Sequence, residues 1–191
     1  RRKGIQVFII APLKGHEFYR AARNVGGEFI QISPASKNCI NIMEIRKVDN
    51  SVNELLDGPT LDASALAGKI QRLHIFFSLL IPDMSHEEKQ LLDEALIKTY
   101  ARKGITHKNE SLTDPQHPEQ YKKMPILEDV YNVLLESEDT KRLAHILNRL
   151  VHGSASSFNQ QTNVDLTNKY TVLDISELTG SSDLLTVGMF V

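Results

Sequence analysis

Lys14, Gly15, His16 and Glu17 stand side by side in the stretch Ala11-Pro12-Leu13-Lys14-Gly15-His16-Glu17-Phe18. A cation, a flexible residue, an imidazole and a carboxylate in that order could hold an anion and move a proton. They follow the apolar run Val7-Phe8-Ile9-Ile10 and open a helical pattern. In open α/β sheets, loops at the carboxyl ends of the strands are where ligands bind. The plain alternative is that Glu17 only complements the positive end of the helix. Position alone favours that alternative over catalysis, and both readings stand at this point.

Other strings with chemical residues fail on context. A phosphate-cradling loop needs Gly-x-x-x-x-Gly-Lys-Ser/Thr, so that backbone N–H groups surround phosphate and the hydroxyl holds Mg²⁺. The nearest string, Ala63-Ser64-Ala65-Leu66-Ala67-Gly68-Lys69-Ile70, lacks the first Gly and the hydroxyl and lies inside a helical pattern. Gly153-Ser154-Ala155-Ser156-Ser157 lacks the closing Gly and the preceding strand of a serine-hydrolase elbow. Asp174 ends a strand pattern, but Ile175 stands where a second acid would hold Mg²⁺ and water. His145 and His152 share a helix face with no carboxylate or Cys to complete a metal set, so no metal site is expected.

The elements that must position these residues follow from periodicity. Val7–Ile10 and Phe29–Ile32 read as strands, and His16–Val25 between them as a helix with Phe18, Ala21, Ala22 and Val25 on one face. Gly26-Gly27 ends that helix. Strand–loop–helix–strand is the unit of a parallel sheet and of nucleotide-type α/β scaffolds. A third extended piece is expected at Cys39–Ile45. The texture then changes. Asn50–Thr60 is polar, with Gly58-Pro59 as a breaker, and Asp62 is a suitable N-cap for a helix from Ala63 to Ile81. Ser85-His86-Glu87-Glu88 is a capping box for a second helix, to Lys103, with an apolar stripe of Leu91, Leu92, Ala95, Leu96 and Tyr100. Lys108–Lys123 reads as an exposed loop, Ile126–Glu136 as a third helix entered through Pro125, and Asp139–His152 as a fourth. Tyr170–Ile175 returns to strand, and Ser181-Ser182-Asp183 can cap a last helix from Leu184. The expected fold class is α/β, a partial parallel sheet interrupted by an all-helical insertion. Its parts are residues 1–48 and 154–191 for the α/β core and 49–153 for the insertion.

Composition narrows the classes. The 191 residues carry a net charge of −2, and the one dense basic cluster is Arg1-Arg2-Lys3. That argues against a phosphate-neutralising surface, and no direct nucleic-acid contact is expected. One cysteine, Cys39, excludes an internal disulfide framework and fits a reducing compartment, where it packs as a small apolar residue. No apolar run approaches the ~20 residues of a membrane span. The chain lacks an initiator Met and is apolar through Leu184–Val191, which reads as an internal piece of a larger protein.

Two ordered landmarks carry a family likeness. The first strand, its Pro12 and Glu17, then Gly26-Gly27-Glu28-Phe29-Ile30-Gln31-Ile32-Ser33-Pro34-Ala35-Ser36 and Ile40-Asn41-Ile42-Met43, form one. After the helical block come Ser157-Phe158-Asn159-Gln160-Gln161-Thr162-Asn163-Val164 and Thr171-Val172-Leu173-Asp174-Ile175-Ser176-Glu177-Leu178. Together they resemble the large ATPases of conjugative type IV secretion, within the FtsK/HerA-like P-loop superfamily, most of all those of conjugative transposons and plasmids of Gram-positive bacteria. The resemblance implies a RecA-like core, ATP and Mg²⁺ in the parent protein, and assembly into hexamers or dimers. It also implies other secretion-channel proteins as partners, and a cytoplasmic place at the inner face of the membrane. Aligned on it, Glu17 is the catalytic candidate and Gln160 and Thr162 are nucleotide-binding candidates, to which the loop adds its cation, Lys14. Relatives commonly carry Asp-Pro-x-x-Glu-Tyr after the first strand. Here Ala11 replaces Asp, Phe18 replaces Tyr, and Glu17 is displaced by two residues. The resemblance places the phosphate loop and the acidic strand outside these residues, so ATP and Mg²⁺ are not expected on this stretch alone and the isolated stretch is expected to be inactive. Two alternatives remain: an interaction module working through residues 62–152, and a DNA-translocating relative of the same superfamily.

Overall fold

The computed structural model describes residues 5–46, 64–181, 184, 185 and 188. The chain divides into two compact units, residues 1–42 with 148–191, and residues 43–147. The expected Arg1-Arg2-Lys3 cluster, the Asn50–Thr60 loop, the Asp62 cap, and Ser182 and Asp183 lie outside the described residues.

Among the described residues the first unit is built on three parallel strands, β1 (Val7–Ala11), β2 (Glu28–Gln31) and β3 (Tyr170–Asp174). Their order is β1-β3-β2, so the last strand in sequence is the middle one. Every residue of β3 after Tyr170 is buried, as a central parallel strand requires. β1 is at an edge and alternates less completely, with Phe8 47% and Ile10 44% exposed. Helix α1 (Gly15–Val25) covers one face of the sheet. Ala11, Ala22 and Val172 form the closed centre of that contact, with Ile9, Phe18, Phe29 and Tyr170 around them. Ala21, expected on the same stripe, is exposed. Gly26 caps α1 in the left-handed region, at φ 66°, and donates to Ala22 and Arg23 carbonyls. That conformation costs a side-chain-bearing residue far more than Gly.

The expected extended piece at Cys39–Ile45 is not a strand. The run is buried as its apolar content demands, but side chains satisfy part of its backbone. Within this unit the Cys39 N–H donates to Asn163 Oδ1 (2.7 Å) and the Asn41 N–H to Thr162 Oγ1 (2.9 Å). The Asn163 N–H also donates to Cys39 O at 3.1 Å, but the described residues form no strand ladder here.

The second unit contains α2 (Ala65–Leu80), α3 (His86–Arg102), α4 (Leu127–Leu134) and the start of α5 (Lys141–Val151). Ser64 caps α2 through Oγ, which accepts the Ala67 N–H at 3.2 Å. Leu66, Ile70, Leu73, Phe76 and Phe77 are the buried stripe of α2, and Leu80 is half-buried. The Ser85 capping box forms as expected: Glu88 N–H donates to Ser85 Oγ at 3.1 Å and Ser85 N–H to Glu88 Oε2 at 2.9 Å. The Ser85 N–H, then Arg142, hold the Glu88 carboxyl below its ordinary range. Leu92, Ala95, Leu96, Thr99 and Tyr100 face inward from α3, while Leu91 is half-buried. The Tyr100 hydroxyl donates to Met43 O at 2.5 Å, and burial raises the phenol's pKa. The 108–123 loop is less exposed than expected. It contains a 3-10 turn (Asn109–Leu112) that buries Leu112, and a Thr113–Tyr121 bridge. Gly68 and Lys69 lie within α2, where no strand-to-helix turn exists to cradle phosphate.

Leu147, on α5, is fully buried, so Leu147→Ala will cost ~2–5 kcal/mol in urea denaturation. A loss below ~1 kcal/mol would show a site that collapses without a cavity. Burial, followed by the Arg46 and Arg72 charges, pushes the Lys69 ammonium down to about 8, with Glu44 opposing. The unfolded chain keeps that proton up to the ordinary value of 10.5. The unfolded state therefore binds more protons between the two values, and stability rises with pH across that window. Denaturation at about pH 7.5 and about pH 10 will show wild type gaining relative to Lys69→Met; equal pH slopes would refute the assignment.

Candidate functional site at the carboxyl edge of the sheet

The three strands end together. Ala11 pairs with Asp174 across β1 and β3, and Gln31 pairs with Asp174 across β2 and β3. The main chain continues this lock beyond the strands. Ile175 N–H donates to Ala11 O at 3.1 Å, and Ile32 N–H to Asp174 O at 2.9 Å. Ser36 Oγ and Asn38 Nδ2 both donate to Gln31 O, at 2.9 and 3.1 Å, folding the Ser33–Asn38 turn back onto the end of β2. Gln31 Nε2 in turn donates to Glu177 Oε1 at 3.0 Å.

From β1 the chain turns through Pro12 and Leu13 into α1. Lys14 is the N-cap, at φ 59° and ψ 36°, without a side-chain capping bond. A left-handed lysine is a strained choice where Gly or Asn would be comfortable. Glu17 N–H closes the first turn on Lys14 O at 3.0 Å. This turn brings Lys14 Nζ to 3.8 Å from Glu17 Oε1. Their side chains are 76% and 69% exposed, so the pair adds little stability. What it provides is an ammonium and a carboxylate held side by side and open to solvent at the ligand edge of a parallel sheet. His16 is exposed beside them. Glu17 also sits in the first turn of α1, where a negative charge complements the macrodipole, so the same carboxylate is exposed and favourably placed for the helix.

Gln160 and Thr162 are placed differently. Thr162 Oγ1 accepts the Asn41 N–H, and the Gln160 carbonyl accepts Cys39 Sγ at 3.5 Å. Both lie along the Cys39–Asn41 segment, Gln160 exposed and Thr162 half-buried. The buried free Cys39 packs there with its thiol on a carbonyl. Among the described residues no group of three His, Cys, Asp or Glu could hold a metal ion, and no helix is long and apolar enough to cross a membrane.

The sequence pattern names Asp174 and Gly15 but does not show that the two meet and shape this edge. Asp174 is 1% exposed, and its Oδ1 accepts the Ser176 N–H at 3.0 Å. Gly15 is buried against that carboxylate. A methyl group at residue 15 would stand 2.2 Å from Asp174 Cγ. The available signal was a carboxylate ending an otherwise apolar strand, and a Gly opening a helix where Gly is a poor helix former.

A parallel α/β sheet with its crossover helix and a ligand-facing carboxyl edge, interrupted in sequence by a helical unit, is a partial RecA-like fold. No protein-family model matches the chain, and no curated protein matches it. Among solved structures, it is similar to VirB4 of Thermoanaerobacter pseudethanolicus, at 26% identity and a TM-score of 0.76. The match covers 97% of this chain and 65% of that one, so the chain spans just under two thirds of that structure's length. The likeness to VirB4 agrees with the resemblance to type IV secretion ATPases that the two ordered landmarks carry.

The left-handed Lys14 yields a direct test. Lys14→Gly will stabilise the chain by about 0.5–1 kcal/mol in thermal or urea denaturation, whereas Lys14→Ala, which keeps the strained φ, will not. A Gly variant no more stable than wild type would show that the corner holds no strain.

Proposed function

We propose that the chain is part of an ATP-hydrolysing motor that energises type IV secretion, in the form that serves conjugative DNA transfer. The observation that carries this reading is the Lys14–Glu17 pair at the carboxyl edge of a VirB4-like sheet. Lys14 presents its ammonium to a phosphate oxygen of ATP, where a compact cation on a flexible stem is well suited. Glu17 orients the attacking water by accepting its proton, a role a solvent-reachable carboxylate can take once nucleotide excludes bulk water. Among the described residues no three His, Cys, Asp or Glu side chains come together to hold a metal ion by themselves. In phosphate-binding sites Mg²⁺ is held largely by phosphates, waters and one or two carboxylates. Gln160 and Thr162 contribute by fixing the Cys39–Asn41 segment, and Gln160 has a free surface for nucleotide or a neighbouring subunit. The motor works as a hexamer or dimer, peripherally at the inner face of the membrane, against other channel proteins.

A second role within the same machine belongs to residues 43–147. They form a compact unit of their own, and α2 exposes Ile75 and Leu79 one turn apart. That pair is a small apolar contact for a channel component, whether or not the other unit turns over ATP.

Steady-state ATPase assays on the full-length protein test the first reading. Glu17→Gln will lower kcat about a hundredfold while leaving the KM for ATP within about threefold, as expected when an interaction is used mainly in the transition state. A variant with wild-type kcat would remove Glu17 from the chemistry. Hydrolysis by residues 1–191 alone that is abolished by Glu17→Ala would show that no phosphate loop outside them is needed.

A further inference from the structure

We infer that Asp174 is a positioning residue, whose buried carboxylate sets the corner 11–17 and with it the places of Lys14 and Glu17. This rests on the ATPase reading for its consequence, though not for its geometry. Three independent features meet at this carboxylate. Its main chain is tied on both sides, to Ala11 through the β1 pairing and the Ile175–Ala11 bond, and to β2 through the Ile32 bond at 2.9 Å. Its side chain is 1% exposed, with Oδ1 taking the Ser176 N–H. The first residue of α1 is pressed against it: an added Cβ at Gly15 would lie 2.2, 2.3 and 2.4 Å from Cγ, Oδ2 and Oδ1. No side chain fits between the two.

The charge is not there by default. The neighbouring inward residues of β3 are apolar, and an apolar residue would end the strand at lower desolvation cost. The carboxylate faces the start of α1, where the helix dipole favours an anion. The same contact explains why Lys14 adopts φ 59°. With Gly15 held against Asp174 and Ala11 held in β1, the chain must turn within Pro12–Lys14, and it does so at an unfavourable residue. A corner chosen by local preference would place Gly at position 14. Here the strain falls on the residue whose ammonium lies 3.8 Å from Glu17. The arrangement also divides labour at this edge. The start of α1 already faces an anion belonging to the chain, so an incoming phosphate is met by the Lys14 side chain and not by the helix amides.

The contact is steric as well as electrostatic, so relief of the clash tests it. In the full-length protein, Gly15→Ala will lower kcat for ATP by between tenfold and about a hundredfold, the loss expected of a misplacement near one ångström. Adding Asp174→Ala, which makes room for the methyl, will bring the double variant back to the level of Asp174→Ala alone. Asp174→Asn, equal in shape, will raise amide hydrogen exchange at residues 15–17 and lower kcat while secondary structure is retained. Losses from Gly15→Ala and Asp174→Ala that multiply in the double variant would overturn the proposal, as would an Asp174→Asn protein with wild-type exchange and kcat. Should the full-length protein lack ATPase activity, the motor reading fails by itself. The same cycle read by amide exchange at residues 11–17 then still decides the role of Asp174.

Discussion

The pairing of β3 with both other strands is the constraint on which the α/β unit depends. β1 and β2 are close in sequence yet are not paired with each other; each takes its register from the segment that returns at Tyr170. The core of Ala11, Ala22 and Val172 combines residues from both sides of the interruption. The ligand edge has the same dependence. Ala11, Gln31 and Asp174 are level because a single strand sets the height of the other two. The Lys14–Glu17 pair is therefore placed by residues more than a hundred positions away. The helical unit can vary internally without changing that placement, provided the chain returns in register.

Much of this was legible in the sequence. The strands, the parallel βαβ pattern and the helical block follow from apolar periodicity. The Ser85 capping box and the Gly26 terminator follow from backbone chemistry that few other residues perform. Cys39–Ile45 was not legible. Apolar content reports burial, but whether a buried segment becomes a strand depends on what satisfies its N–H groups, and here Asn163 and Thr162 side chains take part of that role. The closeness of Lys14 and Glu17 was implied by their spacing in a first helical turn. Asp174 was visible only as an acid ending a strand. Its meaning required the knowledge that residue 15 presses upon it, a contact between segments that no local pattern encodes.

This edge combines solvent-exposed charged side chains with a closed foundation. Lys14 and Glu17 are open, while Ala11, Gly15 and Asp174 beneath them are buried. Exposed side chains on a rigid base keep their reach while their attachment points hardly move, which is the condition for preorganised chemistry. The left-handed lysine fits the same pattern, since local strain persists where surrounding packing over-determines the backbone.

The central position of β3 also bears on how the protein is made. During synthesis β1, α1 and β2 emerge well before the strand that joins them, and at ordinary ribosomal speeds the gap is roughly ten seconds. In that interval two strands rich in Val, Ile and Phe have open edges, the condition under which nascent chains misassociate. Residues 43–147 have a core of their own and are synthesised in the meantime. The order of elements thus sets a timetable: the helical unit can mature on the ribosome, while the parallel sheet must wait for its keystone strand. A chaperone that shelters Val7–Ala11 and Glu28–Gln31 during that wait would govern the yield of active protein without touching its final structure.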